Sequence, residues 1–358
     1  MLWCQLHSLL PVLRLLPSLT MVAAQVTMER RYGAIPRDIY HLPKRMALDE
    51  WDRLTGYAAY VRKLYVVQPP HLRPKDITAE SWTLIVQAFG NRPLLPNLRT
   101  LEWNTDQRDT EFAGLTAFLA PTLENLTVFC NAHSPWESTL LEPAWRSRVD
   151  QFIPEIPRRV PRLVNFSFHC GALHPDCVVG PLSLNHPHSL RALTLAADYR
   201  AGPLSHFSIT AMARFTTVEY LNFRLAVADI PLADLLPKLE LDKLDHLFLS
   251  PTGGPGANLA YGLFASVNLR ILDLNNVQYT GAAALRRMVT AHARSFPRLG
   301  VYKCWLSYQH VQSLPEPHAS LSELFRPLLG LRAVDLSFEA PVPTLWRTCL
   351  YVCYVLCT

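Results

Sequence analysis

The sequence predicts an α/β fold of solenoid type, a curved stack of about ten irregular strand–helix repeats. Three observations carry this reading. A six-residue apolar pattern recurs along the chain. The last five residues of each occurrence alternate as a half-buried strand does, and the stretches between occurrences have room for a helix or a proline-closed turn. Composition permits it: 358 residues, 49% hydrophobic and 18% charged, supply a sizeable core and are too apolar for a disordered chain.

The pattern is an apolar residue, two variable ones, a second apolar residue, one variable and a third apolar residue, or L-x-x-L-x-L. It occurs at Val61/Leu64/Val66, Leu98/Leu101/Trp103, Leu123/Leu126/Val128, Leu163/Phe166/Phe168 and Leu190/Leu193/Leu195. It continues at Val218/Leu221/Phe223, Leu244/Leu247/Leu249, Leu269/Leu272/Leu274, Leu299/Tyr302/Cys304 and Leu331/Val334/Leu336. Successive anchors lie between 25 residues (Leu98 to Leu123) and 40 residues (Leu123 to Leu163) apart. The mean of about 30 is slightly longer than the usual period of a leucine-rich repeat, the motif this pattern matches.

The linkers read as helices and turns. Ile77 to Phe89 places Trp82, Ile85, Val86 and Phe89 on one helical face, and Gly281 to Ala293 does the same with Leu285, Met288 and Val289. A proline stands two residues before several anchors, as in Leu95-Pro96-Asn97-Leu98, Val160-Pro161-Arg162-Leu163 and Phe296-Pro297-Arg298-Leu299. There it stops the helix and presets an extended backbone.

No strand–helix pair of this kind buries its own apolar face, so each depends on the next, with strands on the concave side. The residues between the inward apolar positions then face outward as candidate partner-binding residues: Glu102, Phe129, His169, Arg224, Phe248, Asp273, Lys303 and Trp305. Aromatic residues and arginine dominate protein interfaces. A local slip of phase by one residue would instead bury them. Eight residues after each anchor, where regular repeats carry a turn-bonding Asn or Cys, stand Asp106, Asn131, Gly171, Asp198, Thr252 and Ser307, with Ala226 and Val277 elsewhere, so the array is divergent.

The segment Leu2-Trp3-Cys4-Gln5-Leu6-His7-Ser8-Leu9-Leu10-Pro11, followed by Leu13-Arg14-Leu15-Leu16-Pro17, resembles the stretch after the F-box in fungal, basidiomycete-type F-box/leucine-rich-repeat proteins. Asp49-Glu50-Trp51-Asp52-Arg53-Leu54, continuing through Tyr57-Ala58 and Val61-Arg62-Lys63-Leu64, resembles the helix leading into that family's first repeat. The resemblance implies a substrate-recognition region. In that family the F-box recruits a cullin-RING ubiquitin ligase through a small adaptor, and the repeats bind the protein substrate. This chain begins at what would be the last helix of the box, so adaptor binding is expected only if an F-box lies upstream. His41-Leu42-Pro43, followed by Leu48 and Trp51, reads as the family's loop after the box.

The implied organisation is a remnant of the post-F-box helix and loop at 1–47, the repeats at 48–340 and an apolar tail at 341–358. Cys349, Cys353 and Cys357 form one helical stripe in that tail, read as packing or as an artefactual end. Both ends read as those of a fragment. The alternative is a free-standing leucine-rich-repeat binding protein, or a truncated gene product, with no ligase role.

No arrangement of nucleophile, base and orienting group points to catalysis, and no cofactor is expected. His169, Cys170, His174 and Cys177 lack the spacing of a zinc site. Thr252-Gly253-Gly254-Pro255-Gly256 lacks the Lys-Ser/Thr of a phosphate loop and reads as a linker. The net charge of +5 comes from scattered residues, the densest being Arg158, Arg159 and Arg162, so nucleic acid is not an expected partner. No apolar run reaches the length of a membrane span. Leu2 to Ala24 lacks a basic start and is broken by Pro11, Arg14 and Pro17, against a signal peptide; a secreted protein would instead be cleaved after Ala24. Eight dispersed cysteines fit an intracellular setting, cytoplasmic or nuclear. The sequons at Asn125 and Asn165 fall inside predicted strands and read as chance.

Overall fold

The structure is a computed structural model that describes residues 4–29, 33–43, 47–66, 75–90, 92–105, 111–130, 147, 149–170, 175–196, 205–224, 239–250, 264–277, 282–307, 326–328 and 330–339. Among the positions singled out above, Asp106, Asn131, Gly171, His174, Asp198, Ala226, the Thr252–Gly256 loop and the 341–358 tail lie outside these residues. The chain divides into two compact units, residues 1–170 and 171–358.

In chain order the first unit holds β1 (Gln5–Leu6), α1 (Leu10–Leu13), β2 (Thr20–Glu29), β3 (Gly33–His41), α2 (Leu48–Ala58), β4 (Lys63–Val66), β5 (Lys75–Ile77) and α3 (Ala79–Phe89). It continues with β6 (Thr100–Thr105), α4 (Glu111–Thr116), β7 (Asn125–Cys130), α5 (Glu155–Arg159) and β8 (Asn165–Cys170). The second unit holds α6 (Pro175–Asn185), β9 (Ala192–Ala196), α7 (His206–Met212), β10 (Tyr220–Arg224), β11 (Leu239–Glu240), β12 (His246–Leu249) and β13 (Phe264–Ala265). β14 (Ile271–Val277), α8 (Ala282–Ser295), β15 (Val301–Ser307) and β16 (Ala333–Glu339) complete it.

The architecture is α/β with parallel strands. In the first unit the order is β1-β4-β6-β7-β8, beside a small β2-β3-β5 sheet; in the second it is β9-β10-β12-β14-β15-β16, beside the β11-β13 pair. Each L-x-x-L-x-L occurrence falls on one of these parallel strands, and neighbouring occurrences align residue for residue. Leu64 pairs with Leu101, Leu101 with Leu126 and Leu126 with Phe166. Likewise Leu193 pairs with Leu221, and Leu221, Leu247, Leu272, Tyr302 and Val334 follow one another across the second unit. The motif is thus the register itself: apolar residues stack into continuous rows, buried at Leu101, Leu126, Phe166, Leu193, Leu221, Leu247, Leu272 and Tyr302.

One hydrogen-bond arrangement joins strand to strand. The carbonyl just after most anchors accepts two N–H groups from the neighbouring repeat: Arg62 O from Arg99 and Thr100, Arg191 O from Glu219 and Tyr220, Arg270 O from Gly300 and Val301. Before several strands, the anchor N–H closes a turn. Leu98 donates to Leu95 O at 3.1 Å, Leu163 to Val160 O at 3.4 Å and Leu299 to Phe296 O at 3.2 Å. The proline occupies the second turn position, where its fixed φ is an advantage. The residue before it, Leu95, Val160 or Phe296, is buried, so each turn also plugs the core.

The helices cover the apolar side. On α3, Trp82, Ile85 and Phe89 are buried. Thr78 caps its start by accepting from Ser81 N, and Gly90 ends it at φ 56°, a backbone region that suits glycine. α8 buries Val289, His292 and then Phe296 along one stripe.

The structure departs from expectation in three places. β1 continues the parallel sheet ahead of the first recognised motif, with Leu6 paired to Leu64; Ser8 stands where the third apolar residue would be, so the pattern was hidden. Within 1–47, read as helix and loop, the described residues also form the antiparallel β2–β3 hairpin. Between β10 and β14, whose anchors lie 26 and 25 residues apart, the described linker residues form the short β11–β13 pair instead of helices.

Candidate functional site

Strand alternation sends every second side chain away from the buried rows. In the first unit this outward face carries Tyr65, Glu102, Thr127 and Ser167 in one aligned row, and Asn104, Phe129 and His169 in the next. Phe129 and His169 stack at 4.5 Å between ring centroids, and His169 Nε2 lies 2.8 Å from Ser167 Oγ. Glu102 is half-buried in the same row. At the strand starts, Asn165 Nδ2 donates to Asn125 Oδ1, and Asn125 Nδ2 donates to Thr100 Oγ1 at 3.3 Å. Both sequon asparagines are therefore engaged in a side-chain ladder.

The second unit presents the richer face. Thr194, Asn222, Phe248, Asp273, Lys303 and Asp335 align across six strands. Arg224 lies over the Phe248 ring, its guanidinium carbon 5.2 Å from the centroid, an arrangement that fixes a long side chain without consuming its charge. Trp305 is 43% exposed, and Lys303 and Arg224 are also exposed. Since the flanking Leu221, Phe223, Leu247, Leu249, Tyr302 and Cys304 are all buried, no phase slip occurs at these strands.

The electrostatics follow from partial burial. Desolvation raises the Asp273 carboxyl above its ordinary value, while neighbouring Lys303, His246 and Arg224 pull it back and Asp335 opposes them. Burial lowers His246, with Asp273 opposing and Lys303 reinforcing. Burial also pushes the Cys304 thiol, on the opposite side of β15, well above its usual value, which leaves it a poor nucleophile.

Tyr220 and His246 belong to this face and were not foreseen. They pack edge to face at 4.8 Å, and Asn222 Nδ2 donates to Tyr220 Oη at 3.2 Å. Extending the same alternation one step toward each strand start would have found them. Arg158 and Arg159 both pair with Glu155 on α5, so two of the three clustered arginines share one carboxylate. Among the described residues no group of three His, Cys, Asp or Glu side chains is placed to hold a metal ion, and no helix is long and apolar enough to cross a membrane.

No family model matches the chain, and no curated protein matches it in sequence. One solved structure similar to it is the crystal structure of the Rad7 and Elc1 complex from yeast, at 13% identity and a TM-score of 0.28, covering 77% of this chain and 78% of that one. Fold and face together define an α/β protein whose parallel, aligned strands present rows of mixed aromatic and charged side chains.

Proposed function

We propose that the chain is a protein-binding scaffold of leucine-rich repeats without a catalytic centre of its own, serving as the substrate-recognition region of an F-box protein for a cullin-RING ubiquitin ligase. The observation that supports a binding role is the outward face of the second unit, where Arg224 on β10 stacks on Phe248 of the adjacent β12 and the exposed Trp305 stands two strands further on, on β15. Such anchors on a preorganised sheet lose little conformational freedom when a partner docks. Support for the ligase role comes from the sequence resemblance around Leu2–Pro17 and Asp49–Leu64. On this reading the protein is intracellular, and the ligase adaptor joins it only through an F-box preceding Met1.

Affinity purification of the tagged protein from its own cells, with and without F248A/W305A, tests both parts. The expected result is a specific protein partner lost in the double variant, and recovery of the adaptor and cullin with any gene product that includes an upstream F-box. A partner set unchanged by F248A/W305A overturns the assignment of the face. An F-box-containing product that binds no adaptor overturns the ligase role and favours a free-standing binding protein.

A further inference from the structure

Resting on the reading that the second unit's strand face binds a protein, we propose that it takes an extended peptide segment bearing an acidic side chain, with Arg224 receiving the carboxylate and Asn222 a main-chain group. Three observations converge. Arg224 is exposed, and among the described residues no carboxylate lies within ion-pair distance of it. Another cation of the face, Lys303, stands in register between Asp273 and Asp335 and is the stronger of the two cations acting on Asp273. Arg224 forms no ion pair among the described residues and acts on Asp273 more weakly than Lys303 does, and its stack on Phe248 holds the guanidinium fork ready for two-point contact with a carboxylate.

Asn222 supplies the second element. It is only 9% exposed, and its Oδ1 has no hydrogen-bond partner. Tyr220 Oη satisfies one end of this amide, and turning the amide over would only exchange which end is unmatched. A side-chain amide has one donor and one acceptor side, the complement of a peptide unit. Its position on β10, two residues before Arg224, places a main-chain site beside a carboxylate site. Folded proteins rarely leave such a buried group unmatched; Oδ1 is closed to solvent as it stands, so a peptide N–H would match it once the amide swings toward the face.

The test is selection of a random twelve-residue peptide library against the full-length protein. Enriched peptides should share an Asp or Glu. A representative peptide, followed by fluorescence anisotropy, should bind R224A about tenfold more weakly than wild type, with R224K between them. Replacing the peptide's acid by its amide should cost the wild type a similar factor and R224A nothing, the signature of a direct pair. N222L should weaken acid and amide peptides equally. R224A is expected to keep the wild-type unfolding temperature, because Arg224 is exposed; R224E, selected afresh, should enrich Lys or Arg. Peptides without acidic bias, or binding indifferent to R224A, overturn the proposal. So does a library that yields no binders while F248A/W305A still abolishes a cellular partner, an outcome that leaves the scaffold reading standing.

Discussion

Among individual residues, His292 has the clearest measurable consequence. It is almost completely buried between Phe296 and Tyr302, with Nδ1 3.3 Å from Tyr302 Oη, and burial lowers its pKa from 6.5 to about 3. The unfolded chain therefore binds a proton between those values that the folded chain refuses. Stability conferred by the neutral ring is complete above pH 6.5 and falls as the pH drops toward 3, with a limiting slope of about 1.4 kcal/mol per pH unit. Denaturant titrations across this range should show H292L with a shallower acid limb than wild type, whatever its absolute stability. Equal slopes would mean that His292 is not the group responsible. Thiol chemistry reports on the same scale: exposed Cys4 should alkylate in the native protein, while buried Cys130, Cys170 and Cys304 should not until it unfolds. None of this was legible beforehand, because Cys304 reads as an ordinary motif position and His292 as a polar residue on a helix. Only the burial of their surroundings gives them character.

At the level of the element, packing around α4 is the most exacting. Gly114 faces the Trp82 indole so closely that a Cβ would lie 2.8 Å from the ring. Trp82 cannot retreat, since its ring is held against Trp103 and Phe118. G114A is expected to destabilise by about 1–3 kcal/mol, by overpacking, although alanine favours helix. A thermal midpoint equal to wild type would show that the cluster has slack. The strands were legible because L-x-x-L-x-L states both their alternation and their register, and α3 because Trp82, Ile85 and Phe89 recur at helical spacing. β1 was not, since Ser8 breaks the pattern. The β2–β3 hairpin escaped because its residues lie among apolar stretches that suit helix and strand alike. The outward residues were legible as a direction, while Arg224's stack depends on Phe248 from the neighbouring strand and Asn222's unmatched Oδ1 on the burial around it.

For the whole molecule, each unit gains its order from pairwise joins between adjacent strands, so protection should follow position in the sheet. Among the described residues β16 pairs only with β15, whereas β14 is bonded on both sides. Hydrogen exchange should therefore be faster in Ala333–Glu339 than in Ile271–Leu274, and the reverse order would speak against the strand assignment at this edge. The aligned rows carry one more consequence, a matter of pitch. Parallel strands lie about 4.8 Å apart, so β10 and β14, two places apart, are separated by about 9.6 Å. A ligand wound as polyproline II advances about 3.1 Å per residue and repeats its orientation every third residue, after about 9.3 Å. Such a chain laid across the strands meets alternate rows with side chains that all point the same way, as the marks of a vernier coincide. A pleated strand, turning over at each residue, would lose that phase. On the proposed binding role, a left-handed threefold segment crossing β10, β12 and β14 would keep step with the rows beneath it.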